Sequence, residues 1–105
     1  MEKSDIESIP IKKTFDLKDE KDAYNAAEEM VRIGFYKEKK GFKVLMPKES
    51  KKSAKRIGYI ITTTVTSSLR KNDQHRDIRY WTYHHDEEHY GIVLVSSKVI
   101  EELDF

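Results

Sequence analysis

Hydrophobic positions change their spacing along this chain, and each change marks a predicted element. In "IPIKKTFDL", residues 9 to 17, Ile9, Ile11, Phe15 and Leu17 all fall on odd positions, with Lys13 as the exception. That alternation predicts a strand with one buried face, and Pro10 near its start suits an edge position. The period then lengthens: Ala23, Ala26, Ala27, Met30 and Val31 recur at helical spacing. Asp16 or Asp19 supplies an N-cap, acids fill the first turn, and Gly34 is placed to close the helix in the left-handed conformation. Three alanines on the buried stripe predict close approach to a sheet.

Beyond Gly34, "FYKE" and "FKVLMP" flank "KKG", which reads as a tight hairpin or as one long irregular strand that ends at Pro47. Residues 48 to 56, "KESKKSAKR", are too polar and too short to nucleate a helix alone, so a basic loop with at most one helical turn is expected. "IGYIITTTVTSS", 57 to 68, is rich in β-branched residues and predicts a strand. "LRKNDQHRD" reads as a loop. "YWTYHHDEEHYGIVLV" supplies two final strands, about 78 to 84 and 89 to 96, and "SSKVIEELDF" a short helix capped by Ser97.

The expected organisation is a loose N-terminal arm, residues 1–8, followed by a single α+β domain, residues 9–105. Its sheet is mostly antiparallel with about five strands, one main helix packs on one face, and the order is β-α-β-β-β-β-(short α).

A two- or four-residue turn in the final hairpin pairs His84 with His89 and Tyr83 with Tyr90; an odd loop length would break that register. Carried inward, the pairing puts Trp81, Tyr83, Tyr90, Ile92 and Leu94 on one face. Ile78, Tyr80, Val93 and Val95 occupy the other, with His84 and His89 near the turn. Both faces are apolar, and one helix row covers only part of such a sheet. The second face then offers aromatics to a ligand or a second subunit, unless the basic loop and the C-terminal helix cover it.

Composition narrows the classes. A chain of 105 residues buries roughly two-thirds of its unfolded surface and has room for one core. Charged and apolar residues at 37% each, with 11 aromatics, describe a globular protein rather than a disordered one. The absence of cysteine excludes disulfides, thiolate chemistry and every Cys-based zinc or iron–sulfur site. "MEKSDIESIP" lacks an apolar h-region, and no 18 apolar residues run together, so a cytoplasmic protein with no membrane partner is expected.

The net charge of +1 conceals an asymmetry. Residues 1 to 36 carry nine acids against six bases and residues 57 to 105 eight against five, −3 in each case, whereas residues 37 to 56 carry nine bases against two acids, +7. If Lys37, Lys39, Lys40, Lys43, Lys48, Lys51, Lys52, Lys55 and Arg56 lie on one surface, they form a positive face for nucleic-acid phosphates or an acidic protein. Tyr36, Phe42 and Tyr59 stand among them for stacking. Lysine dominance suits diffuse backbone contact rather than bidentate base reading. The competing explanation is a solvated lysine loop that guards a sheet edge.

His84 and His89, as cross-strand neighbours, are the candidate metal or catalytic pair, with Glu87, Glu88 or His75 as a third ligand. Turns favour polar residues in any case, and this weighs against a metal; neither cofactor nor catalytic residue is assigned. The reading placed first is a small non-enzymatic module that contacts nucleic-acid phosphates through the basic segment. Its alternative is a protein-binding inhibitor, adaptor or homodimer that uses Trp81, Tyr83 and Tyr90 on the aromatic sheet face. A second alternative is a small RNase-like or metal-dependent enzyme built on His84 and His89.

Overall fold

The structure is a computed structural model that describes residues 8–34, 40–49, 53–71 and 77–96. In chain order the elements are strand β1 (Ile11–Asp16), helix α1 (Glu20–Ile33), strand β2 (Gly41–Pro47), helix α2 (Ala54–Lys71) and strands β3 (Ile78–His84) and β4 (His89–Ser96). The fold is α+β, with a four-stranded mixed sheet of order β1-β2-β4-β3. β1 and β2 are parallel, and β4 runs antiparallel to both β2 and β3. The expected five-stranded, mostly antiparallel sheet with one main helix is therefore corrected to a mixed sheet of four strands with two helices among the described residues. The arm at residues 1–7, the "FYKE" segment and the helix expected after Ser97 lie outside the described residues.

α1 forms where its signals place it. The Asp19 side chain accepts from the Asp22 N–H at 3.1 Å, and Gly34 closes the helix at φ 95° with its N–H on the Met30 and Val31 carbonyls. Three of its four buried residues, Ala23, Ala26, Ala27 and Met30, are alanines, and the helix makes its closest approach to α2 rather than to the expected sheet.

The larger correction concerns residues 57 to 68, which are helix α2 rather than a strand. Ala54, Ile57, Gly58, Ile61, Val65 and Leu69 are buried at three- and four-residue spacing, so the helical period, not β-branching, sets the conformation. Ser53 caps its start by accepting from the Arg56 N–H at 3.2 Å. Thr63 fits a helix because its hydroxyl finds local acceptors, Oγ1 donating to the Tyr59 and Ile60 carbonyls at 3.0 and 3.1 Å, whereas the buried Thr62 hydroxyl has no hydrogen-bond partner among the described residues. Gly58 lets the Tyr80 ring of β3 lie directly against the helix.

Two parity shifts rearrange the sheet faces. In β1 the register slips between Ile11 and Lys13, a bulge that turns Ile9 and Ile11 to one face while Phe15 and Leu17 turn to the other. Lys13, the apparent exception, thus sits on the helix side and reaches Glu29 of α1 at 3.7 Å. Glu29 also holds Arg32, and these two cations, the Arg32 hydrogen bond foremost, lower its carboxyl pKa.

In the final hairpin His84 pairs with Tyr90, Tyr83 with Gly91, Trp81 with Val93 and Tyr80 with Leu94. The expected register is off by one because the loop is odd. The Asp86 side chain accepts from the Glu88 N–H at 2.8 Å, and the His85 and Asp86 N–H groups both donate to the His89 carbonyl. Each residue of β3 therefore meets a neighbour one place from the predicted one, and the face assignments change with it.

The main core lies between the sheet and the two helices, around Phe42, Met30, Ile57, Ile61, Leu69, Ile92 and Leu94. On the helix-free side a smaller cluster, Ile9, Val93 and Val95, is buried beneath Ile11, Trp81 and Tyr83. That second face is thus largely closed by its own side chains: Tyr83 lies across Gly91, and Ile9 comes within van der Waals range of Gly41.

Candidate nucleic-acid interface

β1, β2 and β3 run in the same direction, so their carboxyl ends, near Asp16, Pro47 and His84, share one end of the sheet. The first turns of both helices follow directly from β1 and β2 and return to that end, where Leu17, Lys18, Asp19, Met46 and Ile57 line a common crevice. The described part of the basic segment is distributed around it. Lys48 follows β2, and Lys55 and Arg56 stand exposed in the first turn of α2. Lys43 lies mid-strand on the helix-free face opposite Val93, and Lys40 precedes β2 at the opposite end. The positive surface expected from residues 37 to 56 is thus divided between two ends and one face. Lys37, Lys39, Lys51, Lys52 and the stacking candidate Tyr36 lie outside the described residues. Phe42 is buried in the core, only 1% exposed, and is removed as a stacking surface.

Lys48 is engaged locally. Its ammonium lies 2.7 Å from His84 Nδ1 and 5.4 Å from the centre of the Tyr90 ring, while its backbone N–H donates to the Glu88 carbonyl at 3.0 Å. An ammonium has only protons to give, so in this contact Nδ1 accepts and the ring proton sits on Nε2. The three residues tie the end of β2 to the hairpin and leave Tyr90 37% exposed.

The first two turns of α2 differ. Lys55 and Arg56 have no acidic neighbour in the first turn, where the helix dipole is already positive. One turn on, Tyr59 is 58% exposed, the most accessible of the large apolar side chains among the described residues. Positions 55, 56 and 59 share one side of a helix. α1 begins at the same sheet end with the opposite character, since Asp19, Glu20 and Asp22 compensate its dipole.

The odd register separates the predicted histidine pair. His84 shares the helix side of the sheet with Tyr90, whereas His89 falls on the other side, in the company of His85 and Tyr83. His89 Nδ1 lies 3.0 Å from Asp86 Oδ1, and His85 Nδ1 lies 3.3 Å from the Tyr83 hydroxyl. The Asp86 carboxyl is held below its ordinary pKa, first by the Glu88 N–H and then by His89. Among the described residues no group of three His, Asp or Glu side chains is placed to hold a metal ion, and His75 lies outside them. Trp81 and Tyr83 are half-buried over the smaller cluster. No helix among the described residues is long and apolar enough to cross a membrane.

No family model, curated protein or solved structure matches the chain.

Proposed function

We propose that the protein binds single-stranded nucleic acid without catalysis, with Lys55 and Arg56 on the phosphates and Tyr59 stacking on a base. The observation that carries this reading is the grouping of two cations and an exposed aromatic ring on the first two turns of α2. Flexible strands are gripped by that combination: cations follow the backbone, while a π-face accepts any base and so gives little sequence preference. Lys43 and Lys48 lie further along and supply diffuse attraction rather than specific contacts. The divided basic segment favours a short footprint over a long groove.

Binding of a fluorescent oligonucleotide, measured across a salt series, tests the proposal. The logarithm of affinity should fall linearly with the logarithm of salt, and Lys55→Ala combined with Arg56→Ala should reduce that slope by about 1.4 on a single strand. Tyr59→Ala should weaken binding by roughly 5- to 150-fold, the loss of one stacked base, with the slope unchanged. Absent or salt-insensitive binding overturns the reading. An acidic protein partner would respond to the lysine and arginine changes alone.

A further inference from the structure

The two edges of the sheet are built differently, and the difference points beyond nucleic-acid binding. β1 is a blunted edge: Pro10 precedes it, a bulge interrupts it, and Lys12 and Lys13 sit on it. These are the devices by which natural sheets discourage further pairing. β3, the other edge, has none of them. Its seven residues, "IRYWTYH", contain no proline, no lysine and no break in register. Among the described residues no strand pairs with its outer side.

Two hydrogen bonds set the phase of the ladder. On one flank of β4 the Lys48 N–H meets the Glu88 carbonyl, and on the other the His85 N–H meets the His89 carbonyl. Hydrogen-bonded pairs alternate along an antiparallel ladder, so Tyr83, Trp81 and Arg79 turn their backbone groups inward to β4. Ile78, Tyr80, Thr82 and His84 turn theirs outward, as four evenly spaced donors and four acceptors.

The geometry points to β3 as a homodimer edge, at which a second copy of this chain pairs antiparallel about a two-fold axis at Trp81. That centre is selected by counting. It pairs Ile78 with His84 of the second copy and Tyr80 with Thr82, so all four outward residues are used, whereas an axis at Tyr80 or Thr82 strands one of them on each chain. The same register sets Trp81 beside Trp81 of the second copy and Arg79 against the Tyr83 ring, with no like charges opposed. The contact is isologous and closes on itself, which a strand added to one copy by a different protein would not do.

The native mass is measured by sedimentation over the accessible concentration range, and two chains per particle are expected to accumulate as concentration rises. Thr82→Pro removes an outward N–H and leaves the β4 ladder intact, so a folded variant should sediment as one chain. Trp81→Cys, in a protein with no other cysteine, should oxidise to a covalent dimer, because a non-hydrogen-bonded antiparallel pair sets the two Cα atoms about 4.5 Å apart. A native protein that stays at one chain throughout overturns the inference. So does a folded Thr82→Pro variant that still dimerises, or a dimeric Trp81→Cys variant that fails to cross-link.

Discussion

Replacing Gly58 by alanine tests the contact on which the position of α2 depends. A methyl group built on Gly58 would lie 2.4 and 2.6 Å from Cδ2 and Cε2 of Tyr80, against 3.4–4 Å for ordinary contact. Those atoms belong to the body of the ring, not to a flexible tip, so the whole ring must move by roughly 1 Å. Overpacking of this kind costs about 1–3 kcal/mol, and the upper half applies because helix and strand both hold the ring. Alanine is favoured over glycine inside a helix by about 0.8–1.0 kcal/mol. The net expectation is a loss of about 1–2 kcal/mol, read in denaturant unfolding or as a fall of roughly 5–10 °C in Tm. In a Tyr80→Ala background the clash is absent, and the same substitution should stabilise by about 1 kcal/mol, a coupling of about 2–3 kcal/mol between the two sites. If Gly58→Ala stabilises the native background by its full helical increment, the ring does not lie on Gly58 and the packing of α2 on β3 is wrong.

Deleting Lys12 removes the extra residue of the bulge and restores strict alternation with Ile9 and Ile11 still facing Val93 and Val95, so equilibrium unfolding should show a loss of no more than about 1 kcal/mol, whereas deleting Thr14 from the regular part of β1 reverses both isoleucines and should cost about 2–4 kcal/mol for one full and one partial isoleucine burial. Equal losses in the two variants would refute the bulge. Acid sensitivity should reside partly in the hairpin turn: the folded Asp86 carboxyl lies below its ordinary 3.8, so the stability it contributes is present above the unfolded value and is lost as pH falls through the folded one. Asp86→Asn should therefore lose less stability than the native protein between about pH 5 and pH 3, and parallel pH profiles would exclude the turn as a contributor.

Some of this architecture was legible in the residues and some was not, for reasons that recur. α1 was readable because its start, stripe and stop agree: Asp19 as cap, alanines at helical spacing, Gly34 at the end. α2 was misread because composition was weighed above spacing. Isoleucine, valine and threonine favour strands only where a pleated surface receives them, and the four-residue interval of Ile57, Ile61, Val65 and Leu69 was already present in the sequence. The hairpin and β1 failed differently. Strand faces depend on whether a count is odd or even, and both counts are set by local events: the closure of the 86–88 turn on the Asp86 carboxylate, and the bulge before Lys13. Neither leaves a periodic trace, yet each reverses every side chain on one side of it.

The same distinction separates the two candidate sites. A pair of ligands on neighbouring strands exists only in one parity, so a single-residue shift was enough to put His84 and His89 on opposite faces of the sheet. The grouping of Lys55, Arg56 and Tyr59 depends instead on helical pitch. On a strand Arg56 would face away from the other two residues. At about 100° per residue on a helix, Tyr59 falls between Lys55 and Arg56 within an arc of about 100°. The conversion of residues 57–68 from predicted strand to observed helix is therefore what brings an exposed ring beside two cations, and an N-terminus without acids gives that arc its positive field. The nucleic-acid contact proposed at this position rests on the helical conformation of residues 55–59, and the Tyr59 and Lys55/Arg56 substitutions test it.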